Sequence, residues 1–220
     1  MSLFNKIRFV DPITPEKGAI DEAVRVMKAG GVIVFPTSGL YGLGVEAFNV
    51  AAIRKIFDLK GRDLQKPLLV LVHEMDAVRP LVDHVSPAAK RLMDHFWPGK
   101  LTLVFNASEK VPLELTAGTG KIGIRVVQHP VASALTGAMA CPITGTSANR
   151  SGFSACSRIE TLDASLKHGV DLVLDAGPLM GGAPSTVVDV TGNAPVILRS
   201  GAISPADIRD AIAFSRAEKY

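Results

Sequence analysis

Apolar residues near the start of the chain follow first a helical and then a strand-like pattern. Over residues 15–29 they recur at intervals of three and four positions, which predicts an amphipathic helix that ends at the Gly30-Gly31 pair. Residues 32–35 form a short, wholly apolar run, which is typical of a buried strand. We expect Pro36 to end that strand, and Gly39, Gly42 and Gly44 to form an open, Gly-rich turn after it.

The same two patterns recur along the rest of the chain. Helical spacing predicts helices over residues 51–59, 86–96, 130–139 and 159–167, with a last helix that begins at Ser204-Pro205. Short apolar runs predict strands over residues 68–72, 101–105, 122–127, 171–174, 186–190 and 196–199. Because strands alternate with helices but also occur in adjacent pairs, the sequence predicts a mixed α/β fold in which helices cover one mixed sheet.

The composition is that of a chain that builds its own core. Apolar residues make up 47% of the 220 positions and charged residues 20%, so we expect one domain over residues 1–220. The net charge of +3 is too small to indicate a nucleic-acid partner by itself. Cys141 and Cys156 lack redox or metal-ligand spacing, and no signal peptide or membrane-spanning run is visible, so we expect a cytoplasmic protein with no membrane partner.

Three segments carry groups suited to a nucleotide. Lys60-Gly61-Arg62 follows a predicted helix and offers fixed positive charge to phosphate oxygens. Ser147 and Asn149 lie on a Gly-flanked loop and offer compact hydroxyl and amide groups. Arg125 stands within an apolar strand, where a guanidinium is costly unless an anion meets it.

Ordinary structural roles and other motifs compete with this interpretation. Taken alone, Lys60 and Arg62 are typical of a solvated helix end, and Ser147 and Asn149 of loop-forming residues. Gly118-Thr119-Gly120-Lys121 lacks the spacing of a phosphate-binding P-loop, and the segment 145–149 departs from a nucleophile elbow at its last position. The histidines show no zinc-like spacing, so we expect no protein-bound metal.

Seven motifs, in chain order, resemble those of the YrdC/YciO family. They are Pro36-Thr37 with Tyr41-Gly42-Leu43-Gly44, Lys60-Gly61-Arg62 with Lys66-Pro67-Leu68, Trp97-Pro98-Gly99 with Leu101-Thr102, Ile124-Arg125, Ser147-Ala148-Asn149, Ser185-Thr186-Val187-Val188-Asp189 and Leu198-Arg199. The resemblance covers about residues 10–212. It implies a twisted mixed sheet with flanking helices that enclose a concave cavity.

The resemblance to the YrdC branch also implies an activity. Members of that branch are threonylcarbamoyl-AMP synthases, which use L-threonine, bicarbonate or CO2, and ATP and release pyrophosphate. A tRNA threonylcarbamoyl-transfer machinery then uses the product. The implied cofactor is Mg²⁺, which the ATP phosphates carry.

The residue roles that the resemblance implies fall into two groups. Lys60 and Arg62 are the catalytic pair on the ATP phosphates, and the nucleotide-binding residues are Lys60, Arg62, Lys121, Ser147, Asn149 and Arg199. The threonine-binding residues are Thr37, Arg125 and Ser185, with Arg125 on the substrate carboxylate.

Departures from the synthase pattern keep alternatives open. Ser38-Gly39 stands where many synthases have Glu-Thr, and Leu71 and Pro184 stand where many have His and Glu. The first alternative is a double-stranded RNA- or tRNA-binding protein of the YciO branch without synthase activity. The second is an adenylating enzyme that acts on another carbamoyl or amino-acid substrate. The YciO branch typically lacks the KxR and SxN motifs, and because this chain keeps both, the sequence favours the synthase.

Overall fold

A computed structural model of the chain describes residues 6–213, so the predicted domain range 1–220 extends beyond the described residues at both ends. The α-helices are α1 (Lys17–Lys28), α2 (Val50–Lys60), α3 (Pro87–Phe96), α4 (Leu113–Thr116), α5 (Pro130–Met139), α6 (Ala164–Gly169) and α7 (Pro205–Ala213). The strands are β1 (Ile7–Phe9), β2 (Ile33–Pro36), β3 (Tyr41–Gly44), β4 (Leu69–Val72), β5 (Leu101–Asn106), β6 (Lys121–Val126), β7 (Ile143–Thr144), β8 (Thr146–Ser147), β9 (Leu172–Asp175), β10 (Thr186–Asp189) and β11 (Val196–Arg199). Short 3-10 helices cover Met75–Leu81 and Ile159–Thr161.

The strands form two hydrogen-bonded sheets. One has five strands in the order β1-β9-β2-β3-β8, and the other has six in the order β11-β10-β5-β6-β4-β7. Both are mixed: β2 is parallel to β9 and antiparallel to β3, while β5 is parallel to β10 and antiparallel to β6. The predicted mixed α/β class is confirmed. The strands are divided between two sheets and do not form the single sheet expected, because β7 and β8 carry the chain from one sheet to the other within a few residues.

Side-chain caps explain several helix ends that the sequence predicts. The Asn49 side chain accepts a hydrogen bond from the amide of Ala52 at the start of α2, and Gly61 ends that helix in the left-handed conformation. Ser86 accepts from the amide of Ala89 at the start of α3, where Pro87 occupies the first turn. These local signals explain why both helices match their predicted positions closely.

The segment after β2 differs from its prediction. Residues 41–44, expected to be part of an open turn, form strand β3, which pairs with β2 and closes a hairpin at Pro36 and Tyr41. A Cβ atom at Gly44 would lie 2.5 Å from the carbonyl oxygen of Thr144, so glycine here permits two backbones to approach closely. Glycine spacing alone did not separate a turn from a tightly packed strand.

Strand β2 lies in the middle of the core and has both faces buried. Ile33 and Phe35 belong to an apolar cluster that includes Met27 of α1 and Leu135 of α5. Val34, on the opposite face, belongs to a second and larger cluster that reaches both sheets. The alternation of side chains along a strand explains why a wholly apolar run is needed at this position.

Gly145 is the single residue between β7 and β8, at the crossing between the sheets. Its amide donates to the carbonyl oxygen of Leu69 over 2.9 Å. A Cβ atom at this position would lie 2.6 Å from Cγ of Leu71, which is fully buried. The crossing therefore requires a residue without a side chain.

We predict that Gly145→Ala lowers the free energy of unfolding by about 1–3 kcal/mol, because the added methyl overpacks against Leu71. Urea unfolding measures the loss. Gly192→Ala is the control, since its Cβ would meet only an oxygen 3.9 Å away. The double variant Gly145→Ala/Leu71→Ala should show a smaller loss than the sum of the single variants. Equal losses in Gly145→Ala and Gly192→Ala would contradict this packing argument.

Candidate functional site

A cavity of about 900 Å³ is lined by residues of both sheets. On the six-stranded sheet, the lining follows the side-chain alternation of two adjacent strands: Thr102 and Val104 along β5, with Lys100 directly before it, and Lys121, Gly123 and Arg125 along β6. The five-stranded sheet contributes the turn of the β2–β3 hairpin, the first residues of β3, and strand β8. Loops at residues 153–155 and 182–185 complete the wall. The cavity that the resemblance implies is therefore present.

Most of the residues predicted for the site line this one cavity. Those in the lining are Thr37, Arg62, Lys121, Arg125, Ser147, Asn149, Ser185 and Arg199. They come from segments spread along most of the chain, which the two sheets bring together. Of the departures from the synthase pattern, Ser38 and Pro184 also line the cavity, whereas Leu71 lies in the apolar core.

Lys60 corrects the expectation that its ammonium faces the cavity. The side chain is only 2% exposed and does not belong to the lining. Its Nζ donates to the carbonyl oxygens of Ser147 and Asn149 over 2.5 and 2.6 Å, and to Oδ1 of Asn149 over 3.2 Å. Because α2 ends at this residue and Gly61 turns the chain, Arg62 reaches the cavity while Lys60 lies beneath the Ser147–Asn149 loop.

Further hydrogen bonds fix the shape of that loop. The Ser147 hydroxyl donates to Oδ1 of Asn149, and the side-chain Nδ2 of Asn149 donates to the carbonyl oxygen of Phe153. The backbone amide of Ser151 donates to the carbonyl oxygen of Lys60 over 2.9 Å. Burial, together with the nearby charge of Arg62, lowers the pKa of Lys60 to about 8. One lysine therefore holds both ends of the Ser147–Asn149 motif.

Arg125 and Arg199 form the most positive part of the cavity. Arg125 is partly buried, and its Nε atom is buried without a hydrogen-bond partner. Burial and the charge of Arg199 lower the pKa of Arg125 to about 10, so its guanidinium remains protonated at neutral pH. Arg199 donates to the carbonyl oxygen of Ser185 over 2.8 Å and to its hydroxyl over 3.1 Å. Two guanidinium groups thus share one polar region, and the lining residues that the structure describes there include no carboxylate.

The remaining predicted residues have neutral or paired surroundings. Arg62 donates to the carbonyl oxygens of Lys66 and Pro67, which orients its guanidinium along the cavity edge. The Thr37 hydroxyl donates to the carbonyl oxygen of Leu40 over 2.6 Å, so it also shapes the hairpin turn. Lys121 forms an ion pair with Asp189 over 2.8 Å.

The lining residues for which the sequence predicts no role include Lys100, Thr102 and Phe153, whose side chains can contact a ligand through charge, a hydroxyl and an aromatic ring. Lys100 directly precedes β5, Thr102 lies within it, and Thr102 shares a hydrogen bond of 2.9 Å with the hydroxyl of Ser185. Phe153 is 67% exposed at the cavity edge, and the guanidinium of Arg150 lies 5.9 Å from its ring centre. Positions 100 and 102 are two residues apart at the start of a predicted strand, and this spacing was enough to predict that Lys100 and Thr102 share one face. Nothing in the sequence could have placed Phe153.

The charge of the cavity is strongly one-sided. Within residues 6–213, its lining contains five cationic side chains, namely Arg62, Lys100, Lys121, Arg125 and Arg199, and no Asp or Glu. The lining thus fits an anionic ligand that brings several negative charges. Within residues 6–213 no group of three or more His, Cys, Asp or Glu side chains is arranged to hold a metal ion. Over the same range, no helix combines the length and apolar character needed to cross a membrane.

These features define an α/β protein with a cation-lined cavity for phosphate- or carboxylate-bearing ligands. The model of the Sua5/YciO/YrdC family, described as telomere recombination, matches residues 25–201, so the chain belongs to that family. The threonylcarbamoyl-AMP synthase of Bacillus subtilis (strain 168) is 34% identical over 203 residues, which are 92% of this chain and 59% of that protein. The synthase of Coxiella burnetii (strain RSA 493 / Nine Mile phase I) is 34% identical over 161 residues, which are 73% of this chain and 86% of that protein.

Solved structures show the same fold. Sua5 of P. abyssi complexed with L-threonine superposes with a TM-score of 0.90 at 31% identity, covering 94% of this chain and 61% of that one. YciO of E. coli superposes with a TM-score of 0.83 at 29% identity, covering 90% and 97%. The chain therefore spans about three fifths of the length of the B. subtilis synthase and of P. abyssi Sua5, and nearly all of YciO.

We predict that Lys60→Met loosens the Ser147–Asn149 loop, because three oxygen acceptors lose their shared donor. Each such bond contributes about 1 kcal/mol, so the amides of Ser151 and Phe153 should exchange with solvent at least about tenfold faster. Hydrogen exchange measured by NMR resolves these amides. Lys55→Met is the matched control, since exposed Lys55 on the same helix donates to a single carbonyl oxygen outside the loop. Unchanged exchange in Lys60→Met would refute the positioning role.

We also predict an acid-sensitive contribution from the Lys121–Asp189 pair. Burial acts to raise the pKa of Asp189, but hydrogen bonds from Lys121 and Thr191 outweigh it and hold that pKa below its usual value. The pair therefore stabilises the fold above the usual aspartate pKa, and this contribution is lost as the pH falls through the depressed value. Lys121→Met should lower the free energy of unfolding by about 0.5–1 kcal/mol at neutral pH, and the difference should vanish in acid.

Urea unfolding from neutral pH to the acid limit of reversibility measures this difference. Lys110→Met is the control, because Lys110 is exposed and lies outside the cavity lining. A Lys121→Met difference that stays constant with pH would contradict the ion-pair account.

Proposed function

We propose that the protein is an L-threonylcarbamoyl-AMP synthase, which forms threonylcarbamoyl-adenylate and pyrophosphate from L-threonine, bicarbonate or CO2, and ATP. The observation that carries the proposal is Arg125, a partly buried guanidinium with an unpartnered Nε in a cavity whose described lining residues include no carboxylate. Such a group needs an anion to offset its desolvation. The synthase names of the B. subtilis and C. burnetii relatives and the L-threonine complex of P. abyssi Sua5 support this choice of activity.

The threonine end of the cavity is assigned to Arg125, Ser185 and Thr37. A guanidinium forms two parallel hydrogen bonds with a carboxylate, which fixes the substrate in orientation as well as position. Ser185 is 5% exposed and is held by Thr102 and Arg199, so its hydroxyl is oriented before any substrate binds. Preorganised polar groups of this kind favour binding because little side-chain entropy remains to be lost.

The ATP end is assigned to Arg62, Lys121, Ser147, Asn149 and Arg199. Arg62 provides a guanidinium already oriented by backbone carbonyls, and Ser147 and Asn149 provide neutral hydrogen-bonding groups. Lys60 acts on ATP through this loop, as a positioning residue. Mg²⁺ enters with ATP as part of the substrate, since this hard cation retains phosphate and water oxygens as ligands.

The proposed reaction needs no protein nucleophile. The neutral amine of threonine attacks the carbon of CO2, a nitrogen–carbon bond forms, and the amine releases a proton to solvent, leaving a carbamate. A carbamate oxygen then attacks the α-phosphorus of ATP, the bond from that phosphorus to the bridging oxygen breaks, and pyrophosphate departs with the bond electrons. Cations near the phosphates offset the charge that develops on the leaving group, and the cavity aligns the two substrates.

The product is a mixed anhydride of a carbamate and a phosphate, which is an activated acyl donor. A group-transfer machinery must consume it, and we propose that this is the tRNA threonylcarbamoyl-transfer system. The expected location is the cytoplasm, where ATP, bicarbonate and tRNA are available together.

Pyrophosphate release tests the proposal. We expect release from ATP and bicarbonate to require L-threonine, to be weaker with L-serine and to be absent without an amino acid. Arg125→Ala should lower kcat/KM for threonine by about 100-fold or more, because it removes the partner of a desolvated carboxylate. Arg209→Ala, an exposed arginine of α7, is the control and should be unchanged.

The other outcomes assign the alternatives. Release that is indifferent to the amino acid would overturn threonine as the substrate. No release, combined with RNA binding that weakens steeply with salt, would favour a double-stranded RNA- or tRNA-binding protein.

A further inference from the structure

Two of the cations that line the cavity find no acceptor among the described residues. Arg62 and Arg199 donate to neutral oxygens, and Lys121 is paired with Asp189. By contrast, none of the hydrogen bonds or ion pairs within residues 6–213 involves the side chain of Lys100 or of Arg125. If Arg125 takes the substrate carboxylate, a second positive charge in the same cavity remains without an anion.

We propose that Lys100 binds the anionic carboxyl group that is added to the substrate amine, first as bicarbonate and then as the carbamate. Between the two, the C–OH bond of bicarbonate breaks to give CO2 and hydroxide, the amine attacks the CO2, and the hydroxide takes up the proton that the amine releases, so that water is the by-product. This inference rests on the proposed function. In that reaction Arg125 binds the threonine carboxylate and other residues bind the ATP phosphates, so the added carboxyl group is the one anionic group left without a partner.

The position of Lys100 places it at the amino-acid end. It precedes β5, and its carbonyl oxygen accepts from the amide of Thr186, the residue that follows Ser185. Its Nζ lies 3.6 Å from the point where a Cβ atom of Gly39 would stand, so the ammonium lies beside the hairpin turn that carries Thr37. Thr102, two residues further on the same face, bonds the Ser185 hydroxyl. The ammonium therefore belongs to the region of Thr37 and Ser185.

The charge around this region favours the chemistry of carbamate formation. Only the neutral form of an amine attacks CO2, and neighbouring cations lower the pKa of a substrate ammonium. Over residues 6–213, the lining supplies no carboxylate that would hold the amine in its charged form. Once the nitrogen–carbon bond has formed and the proton has left, the new group is an anion, which the ammonium of Lys100 stabilises. The same charge thus favours both the reactive amine and its product.

A different occupant is possible for a cation at this point, namely the side-chain carboxylate of an acidic amino acid. The two occupants predict different effects of bicarbonate on amino-acid binding. A carbamate site makes amino-acid binding and turnover depend on bicarbonate, whereas an acidic side chain would be bound equally well in its absence.

The test compares wild type, Lys100→Met, Lys100→Arg and the exposed-lysine control Lys110→Met. In the pyrophosphate assay, Lys100→Met should raise the bicarbonate concentration for half-maximal rate by about tenfold, the loss expected for one charge-assisted hydrogen bond. The KM for ATP should stay within about twofold, Lys100→Arg should recover part of the effect, and Lys110→Met should match wild type.

A calorimetric titration without ATP gives a readout that does not depend on turnover. L-threonine should bind wild type more tightly when bicarbonate is present, and Lys100→Met should lose that difference while it still binds threonine. Threonine binding that ignores bicarbonate in wild type, or a bicarbonate effect that survives in Lys100→Met, would overturn the role of Lys100 alone. No threonine binding at all would overturn the proposed function with it. Tighter binding of L-aspartate or L-glutamate that depends on Lys100 would establish the acidic side chain as the occupant.

Discussion

Uncompensated positive charge on a partly buried sheet face is the constraint on which the site depends. Arg125 stands on β6, where its buried Nε has no partner, and Lys100, which directly precedes the neighbouring strand β5, has no acceptor within residues 6–213. A folded chain tolerates such charge at a cost that an anionic ligand removes. None of the described residues that line the cavity is Asp or Glu, which makes the demand for an external anion stronger. An anionic ligand that binds here therefore also offsets the electrostatic cost of these unpaired cations.

The fold supplies this arrangement by bringing two sheets together at short, tightly packed connections. Gly145 takes the chain from β7 to β8, and β8 carries Ser147 into the cavity wall. Lys60 then ties the end of α2 to the same wall through the carbonyl oxygens of Ser147 and Asn149. The buried ammonium of Lys60 thus fixes the end of α2 to the Ser147–Asn149 loop, so that the groups of this loop hold their positions before a ligand arrives.

Local sequence signals predicted most helices and strands well. The Ser86-Pro87 start of α3, the helical spacing of α5 and the apolar run of β11 gave nearly their observed bounds, because these signals depend on neighbouring residues. Strand β3 and the division into two sheets were not predicted. Glycine spacing does not distinguish a turn from a strand that packs closely on another backbone, and strand partners depend on distant segments.

For the site as well, the sequence predicted which residues belong together but not every contact that their side chains make. Motif order predicted that Arg62, Arg125, Ser147, Asn149, Ser185 and Arg199 belong together, and all of them line the cavity. It did not predict that Lys60 would point beneath the loop, since a helix end fixes where a residue lies and tertiary packing fixes what its side chain meets. Lys100 was missed because a lone lysine next to a strand is usually solvated, and only the neighbouring strands show that it faces a cavity.

The most direct test of the central claim is the chemical identity of the product. Purified protein incubated with ATP, L-threonine and ¹³C-bicarbonate should yield threonylcarbamoyl-adenylate one mass unit heavier than the product from unlabelled bicarbonate, together with pyrophosphate. Mass spectrometry of a rapidly quenched reaction detects it. A cavity that binds ATP and threonine yet yields only unreacted substrates, or an adenylate without the labelled carbon, would contradict the account.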